Sequence, residues 1–211
     1  TVAGDTGEES NRQAIENWIV EHVPVGARVL DIGCGDGSLL ARLVREKNVA
    51  ATGIELSEKE VMLALQKGLS VHHGDAEEGL DHYPDQSFDV VVLSLTIQEL
   101  GHPQRLLQET FRVGRQVVVA FPNFAHWSAR WQLAVHGRAP HTPCLPYTWY
   151  ESPNRHYLSI LDWEEFCEEQ GWQVVECAFI ANGCFIKLLP NLRAEAAIYL
   201  LEKKANAQPG N

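Results

Sequence analysis

The 211-residue sequence predicts a doubly wound α/β sheet, on three observations. Short apolar runs alternate with amphipathic stretches between residues 28 and 121, with short connections between them. Two of the runs, "FDVVVLS" at 88–94 and "QVVVAF" at 116–121, are apolar almost without interruption, as strands buried on both faces must be. A glycine trio in "VLDIGCGDG" (29–37) ends the first run and opens a helical stretch.

The elements follow in order. Ser10 with Gln13 resembles a capping box, and Ile15, Trp18 and Ile19 share a helical face, so the spacing predicts a helix over 11–22. Pro24 and Gly26 break it. Arg28–Ile32 reads as a strand and Ser38–Glu46 as a helix with Leu39, Leu40 and Leu43 inward. Ala50–Glu55, Leu69–His73, Phe88–Ser94 and Gln116–Phe121 are further strands, with helices at Glu58–Gln66 and Pro103–Phe111. The pattern then lapses over 123–160, an amphipathic helix running into a proline-broken loop that carries Trp127, Trp131, Tyr147, Trp149 and Tyr150. Asp162–Gln170 predicts a helix capped by Asp162 with Glu165 in reciprocal position, and Trp172–Ile180 a strand. "AAIYLL" at 196–201 suits strand or helix. Residues 1–204 are expected to form a single domain and 205–211 a disordered tail.

Composition excludes several classes. A net charge of −11 argues against wrapping a nucleic-acid backbone, which needs a basic surface. The longest mainly apolar run, Val90 to Ile97, is far short of the ~20 residues that span a bilayer. The first ten residues lack the basic start and apolar middle of a signal peptide. The five cysteines are odd in number and form no C-x-x-C pair, so neither a disulfide scaffold nor a zinc ribbon is expected, and a reducing cytoplasm fits. No metal site is expected; His72 and His73, adjacent on a strand, point to opposite faces.

The loop Gly33-x-Gly35-x-Gly37 could hold a dinucleotide, a phosphate or S-adenosylmethionine (SAM), or be a plain tight turn. A dinucleotide fingerprint wants its third glycine where Ser38 stands. Glu55 closes the second strand, where a carboxylate can take both hydroxyls of a ribose. Asp75 follows the third strand, placed to accept from an adenine amino group, and Ser94 closes the fourth. Asp31, Asp36, Glu55 and Asp75 make an acidic rim, which suits a sulfonium and an ammonium and repels a pyrophosphate.

The ordered set "VLDIGCGDG", "GIELS", "HGDAEE" and "FDVVVLS" resembles the successive motifs of class I SAM-dependent methyltransferases over residues 27–121. That resemblance implies a Rossmann-like, mostly parallel sheet of seven strands whose last is antiparallel, which makes "AAIYLL" a strand. It implies SAM or S-adenosylhomocysteine (SAH) as the ligand. The Asp31–Gly37 loop, including Gly33, Cys34 and Gly35, would face the methionyl part, Glu55 the ribose, and Asp75 with Ala76 the adenine, with Leu56 and Ser94 as further cofactor-binding residues. "DQSFDVVVLSLTIQEL", "RVGRQVVVAFPNFAHW" and "GRAPHTPCLPYTWYESPNRHYLSILDWEEFC" resemble, more narrowly, the methionine biosynthesis protein MetW family over nearly the whole chain. This implies homoserine O-acyltransferase as partner. Leu95 stands where that family usually has glutamine, and Ala125 where it has glycine.

Binding SAM and transferring its methyl are separate expectations. The fourth strand's end has no N-P-P-[FYW] motif, and Cys34 reads as a small packed residue rather than a nucleophile. His102, His126, His141 and His156 are candidate bases, and Asn123 a candidate pocket contact because it follows a buried strand. The 123–160 insertion reads as a cap over the site or a docking surface, since tryptophan and tyrosine beside arginine suit interface anchors. An accessory or SAM-responsive subunit and a small-molecule methyltransferase are the two leading readings. A nicotinamide-dependent oxidoreductase is the third.

Overall fold

The computed structural model describes residues 5–78, 80–142 and 145–204. The expected tail, 205–211, and Cys144 lie outside them. The chain runs α1 (Asp5–His22), β1 (Arg28–Ile32), α2 (Ser38–Lys47), β2 (Ala50–Glu55), α3 (Glu58–Gln66), β3 (Ser70–His73), β4 (Phe88–Ser94), α4 (Pro103–Val113) and β5 (Gly114–Pro122). It continues through α5 (Trp127–Trp131), α6 (Ile160–Glu169), β6 (Trp172–Ala181), β7 (Cys184–Ile186), α7 (Pro190–Arg193) and β8 (Ala196–Lys203).

The strands form one sheet in the order β3-β2-β1-β4-β5-β8-β6-β7. The first five are parallel, and β8 runs antiparallel between β5 and β6. The sheet therefore has eight strands rather than seven. The extra one, β7, is a three-residue strand that pairs with β6 at the edge through a turn at Asn182–Gly183. Nothing in "CFI" separates so short a strand from a loop by periodicity.

The central strands explain the two-sided burial. Successive side chains of β4 point to opposite faces. Val91 and Leu93 join one core with Leu106, Phe111, Phe121, Trp163 and Tyr199. Val90 and Val92 join the other with Ile15, Trp18, Leu40 and Leu43. All four β4 residues are at most 1% exposed. Burying each such side chain is worth about 1.5–3 kcal/mol, so continuous apolar runs become central strands.

Two helix starts differ from the sequence reading. Helix α1 begins at Asp5, so Ser10 lies inside it rather than at a cap. Helix α6 begins at Ile160 with Ser159 as its N-cap, and Asp162 is the reciprocal N3 partner of a capping box. The cap is thus Ser159, three positions before the Asp162 that the spacing predicts. No helix among the described residues is long and apolar enough to cross a membrane.

Candidate functional site

Where the strand order reverses, between β1 and β4, a crevice opens outside the carboxyl ends of the parallel strands. Its volume is about 840 Å³, within the range of ligand-binding clefts. The glycine loop forms its floor. The Gly33 and Cys34 amides both donate to the Ile54 carbonyl, at 2.8 and 3.2 Å, which ties the loop to the end of β2. Glu55 then bridges outward: its Oε2 accepts from the Gly35 amide at 2.9 Å and its Oε1 from the Ser57 amide at 2.8 Å. Ser57 caps α3 in turn by accepting from the Glu60 amide.

The glycines of the trio have different surroundings. At Gly35, with φ +54°, a Cβ would meet nothing within 4 Å, so the backbone itself borders open cavity. At Gly37, φ +74°, a Cβ would strike Leu69 and Ala64, so this glycine allows close packing of the loop on α3. A Cβ on Gly33 would collide with the Thr96 side chain. Gly33, Cys34 and Gly35 line the crevice; Gly37 does not.

Asp31 is the most unusual group there. It is 2% exposed, and its Oδ1 has no hydrogen-bond partner. Burial, with the neighbouring Glu55 and Glu16 charges, pushes its carboxyl up to about 7. Cys34 packs its sulfur where a Cβ on Gly53 would stand, and burial beside Asp31 and Glu55 pushes its thiol up to about 12. Its burial and its packing against Gly53 fit a small packed residue.

Leu56, Asp75, Ala76 and Ser94 complete the expected set along the crevice. Asp75 accepts from the Glu77 amide at 2.8 Å, which shapes the turn at Ala76–Glu78. Asp36 is already engaged, with Lys67 Nζ at 2.6 Å and Ser38 Oγ at 2.8 Å. Burial alone would raise its carboxyl, but Lys67 and Ser38 outweigh that and hold it low.

The structure adds residues that motif reading missed. Glu9, Arg12, Gln13 and Glu16 of α1 line the crevice, as do Leu95, Thr96, Glu99 and Arg155. The α1 signal was present as a polar stripe at spacings of three and four opposite the buried Ile15 and Ile19. Leu95 has φ +57°, a left-handed backbone costly to a non-glycine residue, and its carbonyl accepts from the Gln98 side chain. Thr96 donates to the Ile32 carbonyl at 3.1 Å and closes the gap between β1 and β4.

Other candidates lie elsewhere. None of His102, His126, His141 and His156 lines the crevice. Burial lowers the His126 ring, whose Nδ1 meets Ser128 Oγ at 2.7 Å. Asn123 is 1% exposed but pins the chain: its amide donates to the Ala194 and Asn191 carbonyls and its Oδ1 accepts from the Ala125 amide. Its position after a buried strand reflects the need to satisfy backbone groups there, not a ligand. Among the described residues of the 123–160 insertion, only Arg155 borders the crevice. Phe124, Leu133, Tyr147, Trp149 and Tyr157 instead line a second, apolar pocket of about 280 Å³. Among the described residues no group of three histidine, cysteine or acidic side chains could hold a metal.

The sheet order and crevice define a class I SAM-dependent methyltransferase fold, and solved structures agree. A SAM-dependent methyltransferase from Archaeoglobus fulgidus matches 91% of this chain and 94% of its own with a TM-score of 0.67 at 17% identity. A possible histamine N-methyltransferase from Thermotoga maritima matches 93% and 89%, TM-score 0.65, at 20% identity. The chain belongs to the family described as methionine biosynthesis protein MetW, which matches residues 13–201. The bifunctional methionine biosynthesis protein MetXA/MetW of Rhodopirellula baltica is 31% identical over 203 residues, 90% of this chain. The chain spans about a third of that relative's length. A ubiquinone biosynthesis O-methyltransferase of Pseudomonas fluorescens is 32% identical over 104 residues, covering 46% of this chain and 44% of its own.

Proposed function

We propose that the crevice binds SAM or SAH and that the chain serves methionine biosynthesis as an accessory or SAM-responsive subunit of homoserine O-acyltransferase. The observation that carries the ligand is the convergence of Asp31, Gly33, Cys34, Gly35, Glu55, Leu56, Asp75, Ala76 and Ser94 on one cavity. Two features fit this ligand. The buried Asp31 Oδ1 lacks a partner that a cationic group would supply, and the bare Gly35 backbone leaves room for close approach. Asp31 and the glycine loop would hold the methionyl part, Glu55 the ribose, and Asp75 with Ala76 the adenine. The partner is supported by the family resemblance and by the relative whose one chain bears both the MetXA and MetW names.

A second reading is methyl transfer to a small acceptor. Bound SAM supplies an electrophilic methyl on a sulfonium. Burial raises the carboxyls of Glu16 and Glu99 in the crevice, which suits a group that takes a proton from an acceptor. Calorimetric titration with SAM, SAH and NADH tests the ligand: SAM or SAH should bind, and NADH binding more tightly would overturn the assignment. Mixing with the acyltransferase, with SAM turnover followed, separates the two roles. A SAM-dependent change in acyl-transfer rate without SAM consumption supports the accessory role; consumption with a defined acceptor supports the enzyme.

A further inference from the structure

We infer that this crevice reads its ligand's charge, Glu16 and Glu99 making it bind SAM in preference to SAH. The inference rests on the SAM reading above.

The argument begins with the crevice's polar groups. Nine carboxylates and two guanidinium groups line it. Several of the carboxylates already have partners: Asp36 meets Lys67, Glu55 takes the Gly35 and Ser57 amides, and Glu77 takes the Gly101 and His102 amides. The side chains of Glu16, on α1 and partly buried, and of Glu99, in the turn after β4 and exposed at the crevice, make no hydrogen bond or ion pair among the described residues. Arg12 and Arg42 temper Glu16, but neither comes within ion-pair distance, and Arg42 instead meets Glu46 at 3.1 Å. Asp31 adds an independent pointer, for it is buried and lines the same cavity with an oxygen that nothing in the protein satisfies. Unpaired, partly desolvated carboxylates are costly unless a cation offsets them.

SAM and SAH share the adenine, ribose, ammonium and carboxylate, so the floor and rim contacts described above cannot tell them apart. They differ by one methyl and one positive charge at sulfur. The field in the crevice registers the charge, and in a cleft with low-dielectric walls the field of several like charges is focused rather than screened. Glu55 acts on both Asp31 and Glu99, and Glu16 acts on Asp31, so the four carboxylates contribute to one region of potential. A site of this kind favours the charged cofactor and releases the neutral thioether, as a sensor of SAM requires.

Equilibrium titration of SAM and SAH against the parent, Glu16→Gln, Glu99→Gln and the double variant tests this at 20 mM and 300 mM KCl. Glutamine keeps the shape and removes the charge, and thermal melts establish that each variant is folded. The parent should bind SAM at least tenfold more tightly than SAH, with the ratio smaller at high salt. Each single variant should lose SAM affinity with little change for SAH, and the double variant should bring the ratio near one. Equal or tighter SAH binding by the parent overturns the inference, as does an undiminished ratio in a folded double variant, while the SAM reading stands in both cases. Binding of neither ligand overturns both.

Discussion

At Gly35 the backbone sits at φ +54° with open cavity where a Cβ would stand, whereas at Gly37 the same atom would strike Leu69. The two alanine variants should therefore part company. Gly35→Ala should fold, at a cost of about 1–2 kcal/mol for the left-handed backbone, and lose SAM affinity at least tenfold in calorimetry. Gly37→Ala should show its main loss in thermal stability, because a packed neighbour must move. Glu55 carries a second residue-scale prediction. Its carboxylate holds two backbone amides of the site as well as facing the crevice. Glu55→Ala should weaken SAM binding by roughly 1.5–3 kcal/mol, the range of a hydrogen bond to a charged group, and also lower the melting temperature. Equal affinities for variant and parent would remove Glu55 from the site. The motif positions were legible because loop, strand end and turn each need particular residues at fixed spacing. Glu16, Glu99 and Arg155 were not legible, since a polar residue facing a cavity and one facing water look alike in a sequence.

Among the elements, the aromatic insertion has the most to test. Tyr147, Trp149 and Tyr157 border their own apolar pocket, and Trp149 is 78% exposed. Trp149→Ala should reduce affinity for the acyltransferase by at least ~2 kcal/mol and leave SAM affinity nearly unchanged, as for an interface anchor. Both affinities measured on one folded preparation decide it; a fall in SAM affinity alone would make the segment part of the ligand site. The sequence was a good guide to β4 and β5, where two-sided burial demands unbroken apolar runs. It was a poorer guide to α6, whose start depends on whether Ser159 or Asp162 is the cap. Both can cap, and the reciprocal bonds between them decide only once the backbone is in place. The first strand–helix units read clearly because short connections keep their periodicities separate, while β7 gained its strand character from pairing with β6.

Over the whole molecule, acidity and fold are linked through the crevice. The Asp31 carboxyl rises from an ordinary 3.8 to about 7 because burial, then Glu55 and Glu16, disfavour its charge. The folded chain thus holds this proton more tightly than the unfolded chain, and the group's contribution to stability falls as pH rises from about 4 to about 7. The ligand-free protein should melt at higher temperature at pH 6 than at pH 8, and Asp31→Asn should remove most of that difference. Asp89, held down to about 2 chiefly by its hydrogen bonds from Arg28, loses its favourable contribution only in more acidic solution, outside this window. A cationic ligand favours the ionised carboxylate, so SAM should bind more tightly at pH 8, with protons released on binding. A longer-range link joins the two ends of the fold. The buried Asn11 amide donates to Glu195 at 2.8 Å and its oxygen accepts from the Gly183 amide at 2.8 Å, across 184 and 172 residues of sequence. Contacts so distant along the chain form late, because their loop-closure entropy is lost before they contribute. During synthesis α1, which carries Glu9, Arg12 and Glu16, can pack early on Leu40 and Leu43 of α2, but its tether through Asn11 forms only once Gly183 and Glu195 have left the ribosome. A nascent chain halted before Glu195 should already have the glycine loop and yet retain SAM less tightly than the full chain, because α1 lacks its Glu195 tether.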